Sequence, residues 1–173
     1  MIRCEKTLKE TYTAYELERL LQKPDIKKCR FSDYRNWVIV CYLLGTGNRL
    51  STVCNLKIKD IDFTNHEISL RKVKNKKQYI IPLAPTLGKI FSEYLQYRRG
   101  NEDDYLFCSQ YGEKLQRDAL TTAIYRYNRS HGVTKTSMHL FRHTFAKDWI
   151  LSGGDIFRLQ SILGHSSLEI VKE

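Results

Sequence analysis

Apolar residues recur at helical spacing over most of the chain and alternate only near its middle. Leu17, Leu20 and Leu21 share one helical face, with Thr13 placed as a cap and Glu16 three residues on to complete a capping box. Pro24 ends that segment. A second helix is expected over residues 32–44, broken at Gly45-Thr46-Gly47, and a shorter one over residues 51–56. Ile68, Leu70 and Val73 then follow strand spacing, and Tyr79-Ile80-Ile81-Pro82-Leu83 is a second β-like run, so the lysine-rich stretch between them reads as a hairpin. Pro85 suits the first turn of a helix reaching residue 99, and residues 105–109 read as a lone strand. Helices return over residues 117–130, 138–151 and 155–163, stopped in turn by Gly132, Gly153-Gly154 and Gly164. The pattern predicts a mainly α fold with a small antiparallel β-sheet inserted near the middle, an α+β arrangement.

Composition adds a class of partner. With 173 residues the chain has room for one domain with a proper core, expected over residues 13–173, after a polar tail or linker remnant at residues 1–12. The five cysteines are odd in number and form no C-x-x-C pair, which speaks against a disulfide framework or a four-cysteine zinc site and fits a reducing compartment. Met1 opens a polar stretch unlike a secretory leader, and the longest apolar run, residues 37–44, is too short to span a bilayer, so a cytoplasmic protein with no membrane partner is expected. Lys and Arg number 29 against 19 acids, a net charge of +10 that favours a polyanion. Charge names that class and no chemistry.

Four places carry candidate chemistry, and each taken singly has a bland alternative. Arg49 follows a Gly-Asn turn at the start of a helix, where backbone N–H groups and a guanidinium can together hold a phosphate; it also fits an ordinary surface arginine. Lys72, Lys74, Lys76 and Lys77 make the densest basic cluster, suited to a DNA groove or to protonating a leaving oxygen, and equally to a solvated hairpin tip. His139 and Arg142 lie three apart and share a helical face. His139 and His143 have metal-ligand spacing, but Leu140 stands where a zinc protease carries its glutamate and no third ligand is suggested. His165 follows a glycine-terminated helix, as a capping loop would allow. Two arginines, a lysine and two histidines, without a carboxylate cluster for magnesium, suit phosphoryl transfer with no metal and no cofactor.

Together these segments resemble the tyrosine recombinases, the phage-type integrase family, in its catalytic domain. Leu44-Gly45-Thr46-Gly47-Asn48-Arg49-Leu50, with Asn55-Leu56-Lys57 and Asp60-Ile61-Asp62, is similar to the first motif box. The run from Lys74 to Leu83 resembles the lysine-bearing hairpin, whose catalytic lysine stands eight residues before the proline and so falls on Lys74, with Lys76 and Lys77 close by. His139-Leu140-Phe141-Arg142-His143 resembles the second box, and Leu163-Gly164-His165-Ser166 the late histidine. The order and spacing hold from about residue 13 to the end.

The resemblance implies that Arg49 and Arg142 clamp a scissile phosphate in double-stranded DNA, with His139 and His165 hydrogen-bonding it or moving protons. Lys74 would protonate the 5′ leaving oxygen, and Lys72, Lys76 and Lys77 would touch DNA. It also implies a tyrosine nucleophile nine residues after the late histidine, one past Glu173, so that none of the eleven tyrosines fills that slot. An N-terminal core-binding domain and a tetramer on DNA belong to the same expectation, with residues 1–173 alone monomeric. A non-catalytic DNA-binding module derived from a recombinase, and a basic scaffold for acidic proteins, are the competing readings. Retention of Arg49, Lys74, His139, Arg142 and His165 together disfavours the first of these.

Overall fold

The computed structural model describes residues 10–71 and 78–164. Its elements are α1 (Ala14–Leu20), α2 (Phe31–Thr46), α3 (Leu50–Asn55), β1 (Ile61–Asp62), β2 (Glu67–Arg71), β3 (Gln78–Pro82), α4 (Pro85–Arg98), α5 (Arg117–Ser130), α6 (His139–Leu151) and α7 (Ile156–Leu163), with one 3-10 turn at Ile58–Asp60. The fold is mostly helical with a small antiparallel sheet, as the apolar spacing implies.

α2 is the axis of the molecule. Its residues from Tyr34 to Leu43 are buried on every side, including Tyr34, Val38, Ile39, Val40 and Tyr42 at no measurable exposure. A helix apolar all round must sit in the middle of its neighbours, and α2 packs against α4, α5 and α6. Arg35 and Asn36, polar side chains near the start of this helix, are buried with it and bonded there. Arg35 donates from Nη1 to the Cys108 carbonyl at 2.9 Å and from Nε and Nη2 to Oδ1 of Asn36 at 3.1 and 2.9 Å.

The three strands run in the order β1-β2-β3, all antiparallel, with Ile68 opposite both Ile61 and Ile81. Ile68 and Leu70 face the core while Ser69 and Arg71 point away, the period-two alternation of a half-buried strand. Across the sheet Leu70 pairs with Tyr79 and Arg71 with Gln78, so the register is fixed up to both ends of the lysine-rich stretch 72–77, where the sequence placed a hairpin and which lies outside the described residues.

The structure departs from or adds to the sequence reading at three points. The break expected at Gly45-Thr46-Gly47 is set by its last residue: α2 runs on through Thr46, past the expected end at residue 44, and stops at Gly47 in the left-handed conformation. β1 went unanticipated, since two residues leave no periodic signature. Residues 105–109 form no strand; the segment makes only single bridges, Tyr105 to Lys57 and Cys108 to Lys114. Leu106, Phe107 and Cys108 are all buried in succession, so this run plugs the core and does not alternate.

Thr13 caps α1 as read, accepting from Glu16 N–H at 3.2 Å while the Glu16 carboxylate accepts from Thr13 N–H at 2.8 Å. Just ahead of it, Tyr12 is buried at 3 % exposure. Its backbone N–H donates to Thr144 Oγ1 at 3.0 Å, its hydroxyl accepts from Asn128 Nδ2 at 2.9 Å, and its ring meets Phe141 at 5.1 Å between centroids. Lys135 reinforces the same strap by donating to Thr11 O and pairing with Glu16 at 3.0 Å. Residues 11–13 are therefore stitched across α5 and α6. Thr144→Val keeps the shape and removes the acceptor, leaving a buried N–H unsatisfied. It is expected to cost about 1–3 kcal/mol of unfolding free energy, read from the midpoint of denaturant unfolding at unchanged slope.

Candidate active site

The site is assembled where three helix ends meet. α2 terminates because Gly47 adopts φ +65°, its N–H still donating to Leu43 O at 2.9 Å. Glycine takes that conformation without the strain a Cβ brings. The space is also closed to a larger residue: a Cβ there would strike the Phe145 ring and come within 2.8 Å of Leu163 Cδ2.

The turn after Gly47 is pinned from beneath. Thr46 Oγ1 donates to Tyr42 O at 2.8 Å and accepts from Asn48 N–H at 3.3 Å, while Asn48 Nδ2 donates to the Tyr42 hydroxyl at 2.6 Å. Asn48 is 4 % exposed, so this polar side chain is spent inside the protein. The next residue, Arg49, is the N-cap position of α3 and its side chain reaches the surface. A short, internally bonded turn thus converts the buried end of α2 into a presented guanidinium.

Arg142 comes from α6 and is 5 % exposed. Its Nη1 donates to the Gly47 carbonyl at 2.9 Å and its Nη2 to the Leu163 carbonyl at 2.8 Å. One side chain therefore ties the end of α2, the first turn of α6 and the last residue of α7. Arginine alone among cationic side chains has the planar fork to span two carbonyls at once. Burial, with Arg49 nearby pushing the same way, lowers the Arg142 guanidinium to about 10, and Tyr79 opposes that shift. Arg142 keeps its proton through the neutral range, so its charge and that of Arg49, from sequence-distant elements, lie near enough to repel. Such a pair is poised for an anion.

Of the other residues singled out in the sequence, His139 opens α6 on the exposed side and stacks on the half-buried His143, with ring centroids 6.4 Å apart. Among the described residues no three His, Cys, Asp or Glu side chains gather as a metal would require. Lys72, Lys74, Lys76, Lys77 and His165 lie outside the described residues. The segments leading to them are placed: Arg71 and Gln78 flank residues 72–77, and Leu163, held by Arg142, precedes Gly164.

Tyr79 was not singled out in the sequence, although it lies near enough to Arg142 and Arg49 to feel their charge. It is half-buried on β3, on the same face as Ile81, and burial raises its hydroxyl while the positive charges of Arg142 and Arg49 pull it down. Strand alternation puts Tyr79 on the core face, and that was its one signal in the sequence.

A family profile described as the phage integrase family matches residues 10–173. The chain belongs to that family. The tyrosine recombinase XerA of Pyrococcus furiosus is 36 % identical over 166 residues, covering 94 % of this chain and 56 % of that protein. Among solved structures, a XerA recombinase superposes with a TM-score of 0.79 at 28 % identity, covering 96 % of this chain and 59 % of that one. A XerH site-specific recombinase bound to its difH substrate before cleavage superposes with a TM-score of 0.76 at 27 % identity, over 95 % of this chain and 49 % of that one. The chain spans about half the length of the curated relatives it matches. The match is to the tyrosine recombinase type that the four motif boxes suggested. No helix among the described residues is long and apolar enough to cross a membrane.

Proposed function

We propose that residues 13–173 form the catalytic part of a tyrosine-type site-specific DNA recombinase acting on double-stranded DNA. What supports this reading is the three-helix junction at which Arg142 ties the Gly47 carbonyl, two residues before Arg49, to the Leu163 carbonyl, with the Arg49 charge near enough to be felt at its guanidinium. In this reaction a tyrosine oxygen attacks the scissile phosphorus, the bond to the 5′ oxygen breaks, and a 3′-phosphotyrosyl link forms. The 5′-hydroxyl of a second strand later displaces the tyrosine. The bond count is conserved throughout, so no ATP is consumed.

Arg49 and Arg142 neutralise the non-bridging oxygens as the pentacoordinate state builds charge. Lys74 protonates the departing 5′ oxygen, and His139 and His165 hydrogen-bond the phosphate or relay protons. Lys72, Lys76 and Lys77 hold the flanking duplex. The attacking tyrosine, by the family spacing, follows Glu173. The whole protein works in the cytoplasm or nucleoid as a tetramer on DNA, and residues 1–173 alone are monomeric.

Residues 1–173 should bind duplex DNA mainly through phosphates. For about five phosphate contacts the affinity falls by roughly two to three orders of magnitude between 50 and 200 mM salt. On a nicked suicide substrate they should form no covalent adduct, as judged by denaturing gel. A salt-independent affinity would count against the DNA reading, and an adduct would show that another tyrosine attacks.

A further inference from the structure

Beside Arg49 the surface holds a cleft of about 350 Å³ between α3 and β2, walled by Ser51, Thr52 and Asn55 on one side, Ser69 and Arg71 on the other. Lys57 and Tyr105 close its end. The Tyr105 ring collects two ammonium groups, with Lys57 Nζ at 5.7 Å and Lys114 Nζ at 5.1 Å from its centroid. Lys114 also donates to Asn55 Oδ1 at 2.9 Å, and Asn55 Nδ2 in turn donates to Ser51 O at 2.9 Å. The two lysines are thus held in place by an aromatic face and an amide, an ordering that surface lysines ordinarily lack. One acid lines the cleft, Asp60, but it is 8 % exposed and its Oδ2 is turned onto the Lys57 N–H at 2.8 Å. Lys57 and Arg71 in its lining, with Lys114 held against the lining residues Tyr105 and Asn55, outnumber the one inward-turned carboxylate and leave the cleft positive.

Its position says which anion it suits. Arg49 and Asn55 are separated by the length of α3, six residues in sequence, or about 9 Å at the helical rise. Duplex DNA advances about 3.4 Å along its axis per nucleotide on one strand, and the winding backbone covers more than that per step, so a backbone leaving Arg49 reaches this cleft within about two nucleotides. We propose that the cleft is a second phosphodiester site, in which Lys57, Lys114 and Arg71 grip the DNA backbone beside the phosphate held by Arg49 and Arg142. Serine and threonine hydroxyls on its wall supply neutral donors for the same oxygens. The inference rests on the DNA reading above and adds to it the path of one strand.

The test is fluorescence anisotropy of a labelled random-sequence duplex, titrated with the protein across a salt series. Lys57→Gln/Lys114→Gln is expected to lower the slope of log affinity against log salt by about 1.8, since each lost phosphate contact removes about 0.9. Lys27→Gln/Lys28→Gln, exposed at the opposite end of α2 from Arg49, serves as control and should leave the slope unchanged. Should the double variant not fold, by its melting curve, each single variant is expected to lose about 0.9. A steep wild-type slope that the cleft variants leave intact overturns the cleft and spares the DNA reading. A flat wild-type slope overturns both. Inorganic phosphate replacing chloride at equal ionic strength separates the sources. If it raises the melting temperature of wild type and not of the double variant, while the DNA slopes coincide, the cleft binds a free anion and the proposal fails.

Discussion

Arg142→Ala, in a form of the protein that carries the attacking tyrosine, is expected to lower the rate of covalent DNA attachment by at least about a thousandfold. Removing one preorganised donor to a developing oxyanion typically costs about 3–4 kcal/mol in the barrier, and Arg142 does more than donate. It also joins the Gly47 and Leu163 carbonyls, 2.9 and 2.8 Å from its two terminal nitrogens, so its loss frees the turn that presents Arg49. Arg142→Lys separates the two roles. The ammonium keeps the charge but cannot span both carbonyls, so phosphate binding should survive better than cleavage. The measurement is single-turnover attachment on a nicked substrate, with duplex affinity followed in parallel. Undiminished attachment by Arg142→Ala would remove the guanidinium from the phosphate clamp altogether.

Gly47→Ala is expected to be the most damaging single-methyl change in the chain. The residue sits at φ +65° and its missing Cβ would meet the Phe145 ring and Leu163 Cδ2. Backbone strain of about 1–3 kcal/mol adds to overpacking of about 1–3 kcal/mol. Taking about 3 kcal/mol in all, the melting temperature should drop by roughly 6–12 °C for a domain of this size. Gly112 is the internal comparison, because it has φ +81° but nothing within 4 Å of the place a methyl would take. Gly112→Ala should therefore show only the strain, about 1–3 kcal/mol, without the overpacking added at Gly47. Equal losses at the two positions would mean that crowding at the α2–α6–α7 junction contributes nothing. Gly47→Ala should also weaken DNA binding, since it moves the carbonyl that Arg142 holds.

The helices were legible because each announces its ends. Thr13 with Glu16, Pro85 at the first turn of α4, and Gly164 after α7 all act locally, and local chemistry can be read from sequence. Gly45-Thr46-Gly47 could not be resolved in the same way. Either glycine permits a stop, and what selects Gly47 is the approach of Phe145 and Leu163, residues about a hundred positions away. The run at residues 105–109 failed for a related reason, since consecutive apolar residues fit a buried strand and a core plug equally well.

The candidate site divides along the same line. Arg49 and Arg142 were singled out through motif spacing, and the seating of Arg142 against the end of α2 follows from packing of α2 on α6. Tyr79, Asn48 and the two carbonyl acceptors of Arg142 carried no comparable signal. Asn48 reads in sequence as an ordinary turn residue, and only its 2.6 Å contact with the Tyr42 hydroxyl gives it a task. Groups that hold a site in place are chosen by three-dimensional neighbours, and so leave little trace in one sequence.

Tyr12 makes the entry of the chain into this domain a rigid joint. Its backbone is bonded to Thr144, two residues beyond Arg142 on the same helix, and its ring lies on Phe141, one residue before it. A displacement of Tyr12 is therefore passed straight to α6, within a single helical turn of the Arg142 guanidinium, and the tyrosine serves as the fulcrum between the first described residues and that helix.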